Sequence, residues 1–207
     1  MTDDPSPDLA KYCGLMEEVK LRVNVIDFFI SGKGHALYPP PTLESACLQL
    51  RKILELVAFG SLVANKDVYT AVYANFSKKW DAGDLLKELR QVNPDFYPLP
   101  IIEVPSKHPP AVVDLEKRER DVLAELDFVE VYGRCGVMAH AANPYGKGID
   151  YAYYQQKLPI WRTQVVNLLD SHEIRLVDAP GFYLIHMHDK QDGKVHWCKT
   201  KPWAKPQ

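Results

Sequence analysis

The segment TLESACLQLRKILELVAFGSLVA, residues 42–64, carries the most regular apolar pattern of the chain. Its apolar residues recur at steps of three and four, which places them along one side of an α-helix, and the charged residues fall off this stripe or at its edge. Thr42 precedes the first apolar residue and is a suitable N-cap. We therefore predict a long core helix after Thr42. Its apolar stripe consists of Leu43, Ala46, Cys47, Leu50, Ile53, Leu54, Val57, Ala58 and Leu62.

Helices are also predicted on both sides of this segment. Upstream, apolar residues repeat at helical spacing over residues 8–30, and the glycines and prolines of SGKGHALYPPP end that helix. Downstream, Asp67 and Asp81 are suitable N-caps for two shorter helices, at about 67–78 and 82–92. The first half of the chain is therefore predicted to be helical.

The second half begins with a proline-rich stretch, NPDFYPLPIIEVPSKHPP, residues 93–110. Repeated prolines interrupt regular structure, so an extended, semi-rigid connection is predicted there. Helical spacing resumes at Asp114, and a long helix is predicted as far as Asn143-Pro144. A last helix is predicted over 159–172, with Pro159 in its first turn. The apolar positions of the long helix are Leu115, Val122, Leu126, Val129, Val137 and Met138.

Towards the C-terminus the residues become β-branched and aromatic around Asp192-Gly193, a dipeptide typical of β-hairpin turns. The predicted fold is therefore mainly α, a helical bundle with a C-terminal β-hairpin. We predict one domain over 1–207, with the bundle at 8–172 and the hairpin at 174–200.

Composition places the chain among ordinary globular proteins, with 207 residues, 46% hydrophobic and 25% charged. A net charge of -2 gives no overall basic field, so any nucleic-acid contact is expected to be local. The four cysteines, Cys13, Cys47, Cys135 and Cys198, form no C-x-x-C pair and indicate a reducing compartment. The sequence shows no signal peptide and no apolar run long enough for a membrane span, so a cytoplasmic location is expected.

The end of the predicted long helix, YGRCGVMAHAANPYG at residues 132–146, contains the residues best suited to chemistry. Histidine can take or give a proton near neutral pH, while arginine stays charged and matches phosphate with a planar fork of donors. His140 is therefore a candidate acid or base, and Arg134 a candidate phosphate ligand.

Helices ending in this R-x5-H pattern resemble the HEPN superfamily, whose ribonuclease members carry an arginine and a histidine separated by four to six residues. The resemblance covers about residues 8–172. It implies cleavage of RNA without a metal or other cofactor, with Arg134 and His140 as catalytic residues at a composite site of two subunits. It also implies a homodimer and the roles of bacterial toxin–antitoxin or antiviral nucleases, with an antitoxin or another protein as a possible partner.

The spacing poses a geometric problem for this interpretation. On an ideal helix, six residues leave the side chains of Arg134 and His140 roughly 120° apart, so they do not share a face. A second copy of the chain, or a local distortion near Gly133 and Gly136, would bring them together. One position departs from the family pattern: Cys135 follows the arginine where a polar residue is common, and this departure concerns catalytic efficiency more than fold.

Three neighbours of the motif are candidate substrate-binding residues. Asn143 could donate a hydrogen bond to phosphate or cap the end of the helix, and the cap is the stronger expectation. Tyr132 and Tyr145 could stack on bases or pack against the protein.

A simpler interpretation needs no catalysis. Arg134 could pair with Glu130 on the helix surface, and a carbonyl could satisfy His140. Glu44, Arg51 and Glu55 could orient the Arg134 helix through ion pairs or lie on a solvated face. The second functional hypothesis is accordingly a non-catalytic module that binds RNA or a protein with the same surface.

A third hypothesis, a metal-binding regulatory protein, rests on the hairpin. His186 and His188 alternate along one strand, and His196 and Cys198 along its partner. A two-residue turn would set His188 opposite Trp197 and split the four ligands between two faces. A three-residue loop would set His188 opposite His196 and His186 opposite Cys198, which is the only one of the two registers suited to zinc.

Overall fold

The computed structural model describes residues 7–72, 81–107, 111–175 and 181–200. Within them it contains six helices and five strands. The helices are α1 Pro7–Ile30, α2 Pro39–Ala64, α3 Lys66–Val72, α4 Ala82–Val92, α5 Glu125–Val137 and α6 Tyr151–Leu169. The strands are β1 Leu99–Pro105, β2 Val113–Lys117, β3 Ser171–Ile174, β4 Phe182–His186 and β5 His196–Thr200.

The predicted core helix is confirmed and is the centre of the helical layer. Leu50, Ile53 and Leu54 of α2 are fully buried, and α2 packs against α1, α4, α5 and α6. The helix begins four residues before the expected position because Pro39, Pro40 and Pro41 form its first turn, where a missing N–H costs nothing. Thr42 is therefore inside the helix rather than its N-cap, and its hydroxyl donates to the Tyr38 carbonyl at 3.0 Å.

The expected α1 and α4 are confirmed, since α1 spans Pro7–Ile30 and the Asp81 side chain caps α4 by accepting from the Asp84 amide at 3.0 Å. The helix expected at 67–78 begins at Lys66 and is described as far as Val72. Residues 73–78 of that prediction lie outside the described residues.

The fold class predicted from the sequence is wrong, because the protein is not a helical bundle with an added hairpin. All five strands form one antiparallel sheet in the order β2-β1-β3-β4-β5. Since β1, β2 and β3 precede or end at Ile174, the expected boundary between bundle and hairpin does not separate helices from strands. The molecule has a mixed helical and sheet architecture.

Strand β1 lies in the stretch that was expected to be an irregular connection. Its Pro100 accepts a hydrogen bond from the Arg118 amide at 2.9 Å, just beyond the Ile101–Lys117 pair where the β1–β2 ladder ends. The missing N–H of Pro100 would point to the same side as its carbonyl, towards β2, so the proline removes only the reciprocal bond to Arg118 at the end of this ladder. Prolines at the end of a ladder are compatible with a strand.

The long helix expected from Asp114 to Asn143 is two elements, β2 and α5. The residues of β2 favour helix by propensity, but pairing along β1 overrides this preference. Asp121 has a φ of 54°, a left-handed conformation that interrupts any helix between them. Helix α5 then ends at Val137, before the expected Asn143.

The last helix starts earlier than expected. Asp150 caps α6 by accepting from the Tyr153 amide at 3.1 Å, which leaves Pro159 in the middle of the helix. A buried apolar stripe along α6 outweighs the interruption by proline. This stripe consists of Tyr154, Leu158, Trp161, Val165, Leu168 and Leu169.

A buried polar pair joins the helices to the sheet. His172 of β3 donates from Nδ1 to the Leu169 carbonyl at 2.7 Å and accepts at Nε2 from the hydroxyl of Tyr12 in α1 at 2.6 Å. Burial lowers the pKa of His172 to about 4 and raises that of Tyr12. The histidine is therefore neutral, and both of its ring nitrogens have partners.

No helix among the described residues is apolar enough over its length to cross a bilayer.

Candidate functional site

The end of α5 lies close to the beginning of α6, and the motif residues lie along this seam. The Tyr154 hydroxyl donates to the Arg134 carbonyl at 3.0 Å. One turn further along α5, Val137 lines the same hollow as Ile149, which precedes α6. The last turn of α5 is thus close to the first turn of α6 and to the segment that leads into it.

Arg134 lies on the surface of this seam and is half exposed. Its guanidinium carbon lies 5.3 Å from the centre of the Tyr153 ring, and Nε lies 3.4 Å from Glu130 Oε1. The i,i+4 ion pair with Glu130 is the one expected from the simpler interpretation. Because both side chains of the pair are largely exposed, it holds Arg134 only weakly.

His140 lies beyond the end of α5, at a shallow hollow of about 320 Å³ in the connection to α6. It is exposed, and its amide donates to the Val137 carbonyl at 3.3 Å in the turn that ends the helix. Lys147 lines the same hollow. An imidazole and an ammonium group therefore face one concave surface that is open to solvent.

Arg134 and His140 are near each other along the chain but are not in contact through polar groups. No hydrogen bond joins them among the described residues. The 120° separation expected on an ideal helix does not apply, because α5 ends at Val137 and His140 is in the following turn. Val137 links the two sites, since it is one turn from Arg134 and lines the hollow of His140.

Tyr132 does not present its ring for stacking on a base, because it is buried between α5 and α2. Arg51 Nη2 donates to its hydroxyl at 2.6 Å, and that hydroxyl donates to Glu55 at 3.2 Å. The Arg51 guanidinium also lies 3.7 Å from the centre of the Tyr132 ring. Burial raises the pKa of Tyr132, so it stays protonated. Arg51 and Glu55 therefore contact α5 through hydrogen bonds to Tyr132, while the ion pair they form is with each other in α2 rather than with α5.

Glu44, the third residue considered for ion pairs with the Arg134 helix, contacts α6 instead, where it accepts from the Tyr151 hydroxyl at 2.7 Å. Cys135, the departure from the family pattern, is buried beside Cys47 of α2. The hydrogen bond between these thiols and their burial raise the pKa of Cys135. Cys135 is therefore a core residue and cannot contact a substrate.

Asn143 and Tyr145 lie in the turn that follows His140. Asn143 Oδ1 accepts from the Tyr145 amide at 3.0 Å, so Asn143 shapes this turn and does not cap α5. The Tyr145 side chain is 97% exposed and is free to meet a ligand. Of the two tyrosines flanking the motif, the structure exposes Tyr145 and buries Tyr132.

The outward side of α5 carries apolar residues that the described part of the chain covers only in part. Leu126 is 91% exposed and Val137 is 51% exposed, and Val129 is also exposed. A Cβ added to Gly133, between them, would have no atom within 4 Å. These four residues share one side of the helix, and we call this surface the α5 face. From the sequence, Leu126, Val129 and Val137 were identified as apolar positions of a helix, and their exposure was not predicted.

The hairpin histidines have separate partners. The observed register sets His186 opposite His196 and Leu184 opposite Cys198, so neither expected register is correct. The cause is a long connection, Met187–Val195, in place of a tight turn. His186 lies 3.2 Å from Ser171 and 3.6 Å from Glu103.

His196 pairs with Asp192 at 3.1 Å. The half-buried Asp189 and the exposed Asp192 and His196 form the cluster of possible metal ligands in the described part of the chain. His188 is an exposed residue of the connection, and Cys198 is exposed on β5. The four candidate zinc ligands of the third hypothesis are therefore distributed among different local contacts.

The α5–α6 seam is the candidate functional site, because it combines an exposed arginine, an exposed histidine and the α5 face. Tyr153 and Lys157 of α6 belong to the same seam, and the sequence analysis did not identify them. The sequence pattern that could have identified them is an aromatic residue and a lysine four positions apart, which places both on one face of a helix. A comparison of this chain with models of protein families, with curated proteins and with solved structures found no match.

Proposed function

We propose that the protein is a metal-independent endoribonuclease of the HEPN type, which acts in the cytoplasm at a composite site of two copies. The observation that carries this proposal is the exposure of Arg134 on α5 and of His140 in the following turn, beside the exposed apolar residues of α5. Helix positions that expose leucine and valine around a glycine favour another helix at close distance.

A second copy of the chain packed against the α5 face would bring a second Arg134 and a second His140 close to the first pair. Gly133 costs α5 stability relative to alanine and fills no space within the chain, so its absent side chain is useful only where something outside approaches the backbone. Two α5 helices crossing there would place the motif ends of both chains next to each other. An Arg134 of one copy could then share a phosphodiester with the partner's histidine.

The chemistry of the proposed reaction needs only these groups. A general base removes the proton of the ribose 2′-hydroxyl, the oxygen attacks the adjacent phosphorus, and the bond to the 5′-oxygen breaks. A general acid returns a proton to that leaving oxygen. The products are a 2′,3′-cyclic phosphate and a 5′-hydroxyl end. His140 would move the proton, and Arg134 would stabilise the charge on the phosphate oxygens.

Cleavage of single-stranded RNA in the presence of a chelator tests the reaction. We expect cleavage by the wild type and a loss of about a hundredfold or more in His140→Ala, the usual scale for a lost acid–base group. The matched control is His35→Ala, which removes another exposed histidine. Equal cleavage by His140→Ala and His35→Ala would contradict the proposal.

The proposed dimer has its own test. Val137→Glu places a charge in the α5 face, so we expect a lower mass in solution and the loss of cleavage. The control is Leu21→Glu, which introduces the same charge on α1 at a residue that is 66% exposed. We expect it to change neither the mass in solution nor the cleavage of RNA. A wild-type mass of one chain, with cleavage retained in Val137→Glu, would exclude the composite site.

The second candidate is a non-catalytic module that binds RNA or a protein partner, such as an antitoxin, on the same seam. It is favoured by the lack of a hydrogen bond between Arg134 and His140 among the described residues. For this function we expect His140→Ala to bind RNA as well as the wild type, and no cleavage by either protein.

A further inference from the structure

We propose that Lys157 and Tyr153 of α6 extend the Arg134 site into a second phosphate-binding position for single-stranded RNA. This inference deepens the proposed function and rests on it for the identity of the ligand. It assigns Lys157 as a ligand of a phosphate that is not cleaved, and Tyr153 as a positioning residue.

Two cations lie near the Tyr153 ring. Arg134 lies over it at 5.3 Å and Lys157 at 6.0 Å from its centre, from α5 and α6 respectively. A cation over an aromatic face is attracted by the ring quadrupole, so both flexible side chains are held at the seam. An anion that binds beside this ring would be attracted by both positive charges.

The ring itself is fixed. Tyr153 is half-buried and makes edge contacts with Tyr154 at 5.3 Å and Trp161 at 6.0 Å between ring centres. Both of these neighbours belong to the buried stripe of α6. A rigid ring reduces the conformational freedom that the two cations lose when they bind an anion.

The charges at this position are unbalanced. Among the described residues, no carboxylate lies within ion-pair distance of Lys157, although its side chain is half-buried. Arg134 has one acidic neighbour, Glu130, at 3.4 Å, in an exposed pair. A half-buried lysine beside an arginine, without its own counterion, favours a bound anion.

The location indicates a backbone phosphate. Tyr153 lies in the first turn of α6, four residues after Ile149, which lines the hollow that holds His140 and Lys147. A strand whose scissile phosphate lies at His140 and Arg134 would carry its next phosphate along the seam towards Lys157. A free phosphate ion offers the same chemistry but would gain nothing from the adjacent hollow.

Binding is best measured with the full chain carrying His140→Ala, which prevents cleavage. The probe is a fluorescein-labelled oligouridine of about twelve nucleotides, within the usual site sizes for single strands, titrated by anisotropy between about 50 and 200 mM KCl. In this background we expect Lys157→Gln to weaken binding at low salt and to reduce the slope of log K against log salt by about 0.7, as for one lost phosphate contact on a single strand.

Lys87→Gln is the matched control, because Lys87 is an exposed helical lysine of α4 that pairs with Asp84 at 3.1 Å. It should leave both the affinity and the salt slope unchanged. Tyr153→Leu keeps an apolar side chain but loses the ring, so we expect an affinity about two- to fivefold lower with little change in slope. Identical salt slopes for Lys157→Gln and Lys87→Gln would overturn the proposal.

Two further measurements separate this inference from the proposed function. In the cleaving wild-type background, Lys157→Gln should raise KM and preserve kcat, because its phosphate is bound equally before and during the reaction. If the wild type cleaves RNA and Lys157→Gln cleaves it with an unchanged KM, the proposed second phosphate-binding position is wrong, and the proposed nuclease activity is still supported. If Lys157→Gln weakens RNA binding as expected but the wild type does not cleave RNA, the second phosphate-binding position is supported and the proposed nuclease activity is excluded. Displacement of the probe by equimolar inorganic phosphate would overturn the assignment to RNA.

Discussion

At the scale of single residues, the neighbours of Arg134 determine how much of its charge a ligand can use. Glu130 lies 3.4 Å away on the same helix and competes with any phosphate, while the Tyr153 ring attracts the guanidinium without neutralising it. An exposed ion pair is worth little in water. Glu130 therefore weakens a phosphate site more than it stabilises the fold.

Replacing Glu130 with glutamine tests this balance. We expect Glu130→Gln in the His140→Ala background to bind RNA two- to fivefold more tightly, because a charge opposed to the phosphate is lost, on the order of 1 kcal/mol. Anisotropy with the same oligouridine measures it. Glu119→Gln removes an equal charge from an exposed residue outside the seam and should bind as the parent does. A similar gain in both variants would show a general charge effect only.

The sequence was informative about which residue types the site contains and less so about their partners. Arg134, His140 and Tyr145 are exposed as a binding role requires, and their positions next to a helix end followed from local patterns alone. The burial of Tyr132 depended on Arg51 of another helix, 81 positions away, and no local pattern encodes that contact. From the sequence alone, a tyrosine beside the motif is compatible both with stacking on a base and with packing in the core, and its contacts with distant residues decide between the two.

At the scale of elements, α5 carries two glycines with opposite surroundings. Gly133 has open space where a side chain would be, whereas a Cβ on Gly136 would lie 2.7 Å from Arg51 Nη1. The absent side chain of Gly136 makes room for the guanidinium that donates to the Tyr132 carbonyl at 3.2 Å. The two positions therefore differ in what an added methyl group would do.

Alanine at each position provides a matched pair. We expect Gly136→Ala to lower the free energy of unfolding by about 1–3 kcal/mol, because it displaces Arg51 from its hydrogen bonds with Tyr132. Gly133→Ala should raise it by roughly 0.5–1 kcal/mol through better helix propensity. Urea denaturation measures both. A stabilised Gly136→Ala would contradict the packing described here.

Helices were predictable where their own residues specify them, and strands were not. The apolar stripe of α2 and the Asp81 cap of α4 are local signals, and both elements are present. Strand β2 has the composition of a helix and is a strand only because β1 lies beside it. Strand β1 in turn depends on β3, which follows two helices later. Pairing between segments so far apart along the chain produces no periodic pattern of residues within either segment.

At the scale of the whole molecule, the hydrogen bond between Tyr12 and His172 connects the helical layer to the centre of the sheet. Both partners are completely buried, and the histidine is neutral. A protonated imidazole could not accept from the Tyr12 hydroxyl and would be a charge without a counterion. The contact between the two layers therefore depends on pH.

The pKa of His172 is about 4 in the folded protein against 6.5 for an ordinary histidine, so the unfolded chain binds the proton first as the pH falls. We expect the stability contributed by His172 to be complete above pH 6.5 and to fall by about 3 kcal/mol as the pH decreases towards 4. Denaturant titrations across this pH range measure it. His172→Gln should be less stable at neutral pH and should show a flatter dependence, whereas an unchanged slope would exclude His172 as the cause.

The strand order has a consequence for how the protein is made. On the ribosome, β1 emerges long before its inner partner β3, because α5 and α6 must be synthesised between them. Throughout that interval the nascent chain carries a strand with one open edge, which can pair with a neighbouring polypeptide. Slow translation between Glu125 and Leu169 would therefore favour aggregation, and a chaperone that covers strand edges would have the most effect in this window.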